Sequence, residues 1–288
     1  MQRKICAPGR ALRFLADCLH WDKPFAKNVL MIALPMVIQQ LVAASLHIVD
    51  GLMVSALGDA AYSGVTQANR FTFMFNLFCF GTATGGSIFL SQYWGARDVR
   101  RMRQAMGVTL GCSLVVAFLF FCTGLLFPRQ IVGLFLQPGE SFEQAVRYLS
   151  IVVFGYLFTA VDNVFAITIK AGEKTWLPML SGFVSIGVNT FFNWVFIFGH
   201  FGVPAMGVAG AAIATVIGQF VSLIFSLIIL FTKTHQVKIA FKGFRFNGKT
   251  IKDIYAVGFP SIIMQAIGSV MNMGMNGILA TFSDTAVA

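Results

Sequence analysis

Residues 33–54 read ALPMVIQQLVAASLHIVDGLMV, and the nature of this stretch decides the fold. It lies in an apolar run over residues 28–57 whose only ionisable side chains are His47 and Asp50. A helix needs roughly 20 such residues to cross the hydrocarbon core of a bilayer, and this run exceeds that. Working outward, comparable runs recur at residues 71–93, 104–127, 145–169, 177–198, 208–231 and 254–279, which predicts seven transmembrane helices. Between the third and fourth, Ile131, Val132, Leu134, Phe135 and Leu136 are too few to span, so residues 128–142 are expected to hold a short interfacial helix ended by Pro138-Gly139.

The composition agrees. Of 288 residues, 57% are hydrophobic and 11% charged, against roughly 25% charged in soluble domains, and the mean hydropathy is +0.77. With 31 Phe spread along the chain, the apolar residues exceed what one water-surrounded core can bury, so lipid is the solvent for most of it. The formal charge of +10 comes from basic clusters between the apolar runs, where it acts as a topology signal and not as a nucleic-acid footprint. Cys6, Cys18, Cys79, Cys112 and Cys122 are odd in number and form no Cys-x-x-Cys or Cys/His cluster, so neither a disulfide framework nor a zinc site is indicated.

Residues 1–27 form a cytoplasmic N-terminal segment in this reading. Leu12, Leu15 and Leu19 recur at helical spacing beside Phe14, Trp21 and several basic residues, which suits either an amphipathic surface helix or a solvated tail. The first apolar run is too long for a signal-peptide core, so no cleaved leader is expected. With this end inside, Arg3, Lys4, Arg10, Arg13, Lys23, Lys27, Arg97, Arg100, Arg101, Arg103, Lys170, Lys174, Lys233, Lys238, Lys242, Arg245, Lys249 and Lys252 all fall on the inner side. Only Arg70, Arg129 and Arg147 fall outside. That asymmetry orients the chain with its N-terminus in the cytoplasm, opposite to a G-protein-coupled receptor, and the seventh span has no Lys for a retinal Schiff base.

Residues 232–253 make a basic cytoplasmic linker with turn signals at Gly243 and Asn247-Gly248. The linker divides six helices, residues 28–231, from one, residues 254–288. Leu34-Pro35-Met36-Val37-Ile38-Gln39-Gln40 resembles Phe259-Pro260-Ser261-Ile262-Ile263-Met264-Gln265, and Asp59-Ala60-Ala61 answers Asp284-Thr285-Ala286 at the same offset. The seventh helix then opens a second copy of the six-helix unit, and the expectation is an incomplete second lobe.

Further segments carry a family resemblance. Ala33-Leu34-Pro35 through Ile48-Val49-Asp50-Gly51 resembles the first helix of the multidrug and toxic compound extrusion (MATE) family. Gly85-Gly86-Ser87 with Gln92-Tyr93-Trp94-Gly95-Ala96-Arg97-Asp98 is similar to its second helix and inner loop. Ala171-Gly172-Glu173-Lys174, Pro178-Met179, Asn189, Asn193 and the run from Gly207 to Thr215 resemble its fifth and sixth helices. The resemblance implies an all-α polytopic membrane protein: the six-helix N-lobe of a MATE-type transporter plus the first helix of the C-lobe, truncated after the first lobe. Because the seventh span offers no Glu, it favours the DinF-like branch, whose coupling site is in the first lobe.

The residues also speak without the family. Asp50 and Asp162 are the only acids inside predicted spans, and a charge at the bilayer centre costs at least ~2.5 kcal/mol, which makes each a functional candidate. At ~1.5 Å per residue, Asp50, Asn189, Asn193 and Thr215 share one slab about 8 to 14 Å below the outer face. Asn189 and Asn193, four apart, present their amides on one helix face and can serve either protonation state of a carboxyl. These four are the candidate ion-coupling residues. Asp162 comes about 11 Å from the inner face by the same rise, as an inner gate or structural contact. His47 shares a face with Asp50 and either tunes it or is a buried neutral histidine. Asn76 and Tyr156 are further cavity candidates, and Met and Phe side chains suit an adaptable pocket for flat apolar cations.

No motif of metal, aspartyl or serine hydrolysis is present. Gly243-Phe244-Arg245-Phe246-Asn247-Gly248-Lys249-Thr250 fits the phosphate-loop pattern, but it runs into a membrane helix with no room for the α/β domain such a loop needs. An ion gradient, H+ or Na+, is therefore the expected energy source, with no cofactor. The expected function is secondary antiport of amphipathic or cationic organic compounds across a bacterial cytoplasmic membrane, with lipid and a small organic cation as partners. Two other readings stand beside it: a flippase for lipid-linked saccharides, for which only Arg147 offers a cation near the cavity, and a nonfunctional or regulatory half-transporter that pairs with itself or with a missing C-lobe. The charge asymmetry makes the topology testable: a tag at residue 1 should be protected from external protease and a tag after Ala288 cleaved, and the reverse pattern would overturn the orientation.

Overall fold

The computed structural model describes residues 23–232 and 248–282. The expectations for residues 1–22, for most of the linker and the phosphate-loop pattern, and for Asp284-Thr285-Ala286 fall outside the described residues. The rest is all helix: α1 Lys23–Ser55, α2 Asp59–Gly95, α3 Val99–Leu126, α4 Pro128–Gly133, α5 Glu140–Val152, α6 Phe154–Ala171, α7 Trp176–Phe198, α8 Val208–Thr232 and α9 Gly248–Phe282. Five of these are long and apolar enough to cross a membrane, and six if α5 and α6 count as one span. The seventh predicted span lies in α9, a continuous 35-residue helix that is not among those six and that starts six residues before the predicted boundary.

Local chemistry explains the helix ends. Asp98 caps α3 by accepting from the Arg101 backbone N–H at 3.0 Å, which satisfies one of the orphan donors of the first turn. Pro128 opens α4, where its missing N–H costs nothing. This helix ends at Gly133, so the predicted interfacial element is shorter than expected, and Phe142 already belongs to α5. Gly199 closes α7 in the left-handed region at φ 77°, where a side chain would also meet the Ala205 backbone.

The fourth predicted span departs from a straight helix. It breaks between Val152 and Phe154 and bends by 49°. No proline lies there. Gly155 follows the break, and the space its missing side chain leaves is filled by the Gln219 side chain from α8. Insertion of a polar side chain beside a glycine is a recognised cause of a sharp kink.

The main apolar core lies among α2, α3, α5 and α6. Tyr156 stacks on Phe75 at 4.3 Å, and its hydroxyl meets Thr72 at 2.9 Å. α7 and α8 pack side by side, and α1 lies mainly along α7. The outer face of α1 carries exposed Leu30, Leu34, Leu41, Ile48 and Leu52, apolar surface suited to lipid or another helix. α9 crosses α2 where Gly81 and Gly85 face Gly258, Ile254 and Ile262, so closely that a side chain at either α2 glycine would strike α9. In both α1 and α9 the proline, Pro35 or Pro260, is the thirteenth residue of its helix.

Gly85→Leu should therefore destabilise the fold by about 1–3 kcal/mol through overpacking, read as a lowered melting temperature in detergent. Gly95→Leu, with nothing within 4 Å, is the control. An unchanged Gly85→Leu melt would show that the α2–α9 crossing does not contribute to stability.

Candidate functional site

On α7, Ser181, Ser185, Asn189 and Asn193 recur every four residues, so neighbours lie about 40° apart and form a stripe that winds slowly around the helix. They face Thr215, Gln219, Ser222 and Ser226, the matching stripe of α8. The two stripes are joined by hydrogen bonds. Asn189 Nδ2 donates to Thr215 Oγ1 at 3.4 Å, Ser185 Oγ donates to the Gly218 carbonyl at 2.9 Å, and the Ser181 and Ser222 hydroxyls meet at 3.0 Å. A polar seam thus runs along two otherwise apolar helices, and most of its members find partners within the protein, as hydrocarbon requires.

At the Asn193 end of the seam α1 delivers Asp50. Asn193 Nδ2 donates to Asp50 Oδ1 at 2.6 Å and to Asn189 Oδ1 at 3.0 Å, while Thr215 Oγ1 turns to the Ala211 carbonyl at 2.9 Å. The structure therefore brings Asp50, Asn189, Asn193 and Thr215 into one connected group. Asn189 and Asn193 are 3% and 1% exposed. The group borders a cavity of about 320 Å³ that also meets Asn69, Asn76, Tyr148 and Gln219 and that, among the described residues, is lined by no Lys or Arg. Two buried amide oxygens in this region, Asn193 Oδ1 and Gln219 Oε1, lack a hydrogen-bond partner.

The remaining candidates are placed as follows. Asn76 lines the Asp50 cavity. Tyr156 does not: it is fully buried in the core behind it. The side chain of His47 lies outside what the structure describes. Asp162 is in a separate cavity of about 230 Å³, at the Ser181 end of the seam, that meets Lys170, Gln39, Ser181, Ser222 and Ser226. Its Oδ2 accepts from Ser222 Oγ at 2.8 Å and its Oδ1 from Ser226 Oγ at 2.5 Å. Arg147 is exposed and lines neither cavity.

Sequence reasoning missed Tyr148 and Gln219. Tyr148 lines the cavity beside Thr215 and Asn69 and interacts with both, which extends the group from α5. A straight fourth helix puts Tyr156 at cavity depth, whereas the bend at Val153 turns Tyr148 to the cavity instead. Gln219 was visible as the residue one turn beyond Thr215.

Comparison with known proteins fits this geometry. The MatE family model matches residues 35–195. The chain is 28% identical over 239 residues to the probable multidrug resistance protein NorM of Listeria monocytogenes, covering 82% of this chain and 52% of that protein. It is 24% identical over 264 residues to the multidrug export protein MepA of Staphylococcus haemolyticus, covering 91% and 57%. Among solved structures, a MOP superfamily transporter from Pyrococcus furiosus superposes with a TM-score of 0.80 at 25% identity, covering 91% of this chain and 57% of that one. The outward-facing form of a multidrug resistance MATE family transporter gives 0.79 at 25% identity, covering 88% and 56%. The chain spans about half the length of the curated relatives it matches. With more than half of its residues under the family pattern, on an all-helical membrane fold, the chain belongs to the MatE family of membrane transporters.

Proposed function

We propose that this chain forms one lobe of a secondary antiporter that exports amphipathic organic cations in exchange for protons, with Asp50 as the coupling acid. The observation that carries the reading is the Asp50–Asn193 bond in a cavity that no described Lys or Arg lines, beside an amide oxygen left without a partner. As a carboxylate, Asp50 accepts from Asn193 and offers a negative charge to a cationic substrate. A proton arriving from outside water on Asp50 removes that charge and turns the carboxyl into a donor, for which the Asn193 oxygen is the waiting acceptor. Substrate loses its counter-charge and leaves outward. Loss of the proton to the inner side restores the anion. Pro35 interrupts the α1 hydrogen-bond ladder and gives the helix that carries Asp50 a pivot.

Alternating access needs two lobes that rock about a central site. The relatives, about twice as long, support a transport unit in which residues 28–231 face a second six-helix lobe, with the exposed apolar face of α1 at their junction. Alone, the chain is expected not to transport and to associate through that face. Sodium is the second reading for the coupling ion, since Asp50, Thr215 and the free Asn193 oxygen present oxygen ligands only. The multidrug names of the relatives support drug and toxin export, and their bacterial hosts support a cytoplasmic membrane.

In cells making this chain together with a second lobe, Asp50→Asn should abolish gradient-driven efflux of a fluorescent organic cation while the protein still inserts. Efflux that persists with unchanged pH dependence refutes the role. Asn193→Ala should cost about 1.5–3 kcal/mol of stability, the range for a hydrogen bond to a charged group, measured by unfolding in detergent above neutral pH. In an Asp50→Asn background that cost should shrink to the value for a neutral pair, and equal costs in both backgrounds would show no coupling between the residues.

A further inference from the structure

Asp162 has no part in the cycle just described, yet it lies within a membrane helix, where acidic side chains occur paired or in functional sites. Among the described residues no ammonium or guanidinium comes within ion-pair distance of it. Its partners are two serine hydroxyls one turn apart on α8, one on each carboxylate oxygen. A carboxylate offers about four acceptor positions, so half of its capacity remains directed to the surroundings. Ser181 of α7 closes the group, its hydroxyl 3.0 Å from Ser222 Oγ and 3.3 Å from the Ser222 carbonyl. One carboxylate, three hydroxyls and a main-chain carbonyl thus converge beside a cavity of about 230 Å³, room for an ion and several waters at roughly 30 Å³ each.

We propose that Asp162, Ser181, Ser222 and Ser226 form a second cation site, which takes a sodium ion, and that the Lys170 ammonium competes with that ion for Asp162. The ligands are all hard oxygens, which excludes soft metals. They bring a single negative charge, where a divalent ion draws on several carboxylates. A proton alone would need neither the three hydroxyls nor the space.

Lys170 supplies the rival charge. It stands in the last turn of α6, lines the same cavity and interacts electrostatically with Asp162. Its four-carbon stem lets the ammonium lean into the cavity or reach past the helix end to water. Among the described residues, Asp162 and Lys170 are the only titratable ones on the cavity wall. α1 contributes Gln39 there, α7 contributes Ser181 and Ser185, and α8 contributes Ser222 and Ser226, all uncharged. From Ser181 to Asn193 is about 18 Å of helix by the usual rise, so this site and the Asp50 site are distinct and neither needs the other. Leu46 and Ser185 line both cavities, which therefore adjoin.

The test is binding of radioactive sodium to the purified chain in lipid nanodiscs, with choline chloride holding ionic strength constant. Saturable binding should vanish in Asp162→Asn and weaken in the double variant Ser222→Ala/Ser226→Ala. It should tighten about tenfold in Lys170→Met, because removing a competitor raises the binding-competent fraction. It should stay within about twofold in Asp50→Asn, so failure of the Asp50 reading leaves this result untouched. Binding that survives Asp162→Asn, or that disappears in Asp50→Asn, overturns the site. Lack of saturable sodium binding, with proton uptake in unbuffered solution that depends on Asp162, overturns sodium as its occupant. If Asp162→Asn fails to insert, the Lys170→Met and Ser226→Ala affinities decide: both unchanged overturns the proposal.

Discussion

Polar atoms placed in hydrocarbon must find their partners inside the protein, and the α7–α8 seam is how this chain meets that requirement. Unsatisfied groups there cost several kcal/mol each, so the hydroxyls and amides of two apolar helices are matched against one another in register. The match fixes the rotation of both helices, because a slip of one residue would turn the stripes by about 100° and strand every member. Once α7 is fixed, Asn193 and Asn189 define where α1 must set down Asp50, and α8 defines where Asp162 of α6 docks. Both acids depend on one interface.

The same interface shapes the fourth span. Gln219 belongs to the α8 stripe, and its side chain settles against Gly155. The helix breaks there, and the break decides which tyrosine joins the site. Tyr156 goes to the apolar core with Phe75, while Tyr148 reaches Thr215 and Asn69. A residue on α8 thus controls the aim of a side chain on α5.

Much of this was legible beforehand. Span positions followed from hydropathy, and the four-residue spacing of Asn189 and Asn193 with the depth of Asp50 and Thr215 was enough to assemble the central group, since depth and helical face are both periodic properties. What was hidden depended on three-dimensional partners. The bend has no proline to announce it, and Gly155 reads as one more small residue until Gln219 is seen against it. Ser222 and Ser226 do not stand out in a hydropathy scan, and only the facing of helices shows that they hold Asp162. The early start of α9 lies in charged residues that read as linker.

The proline shared by α1 and α9 carries a consequence for how lobes recognise each other. On the two-lobe reading proposed above the two helices are counterparts, and α9 is anchored on the glycine face of α2. By pseudo-twofold symmetry, α1 should rest on the counterpart of α2 in a second lobe. Each half would then lend its leading helix to the other, a reciprocal handshake rather than two finished bodies meeting at flat faces. The leucine-rich back of α1 is in that case one hand of the clasp, and its fit is inherited jointly with the glycines of a helix that this lobe does not itself contain.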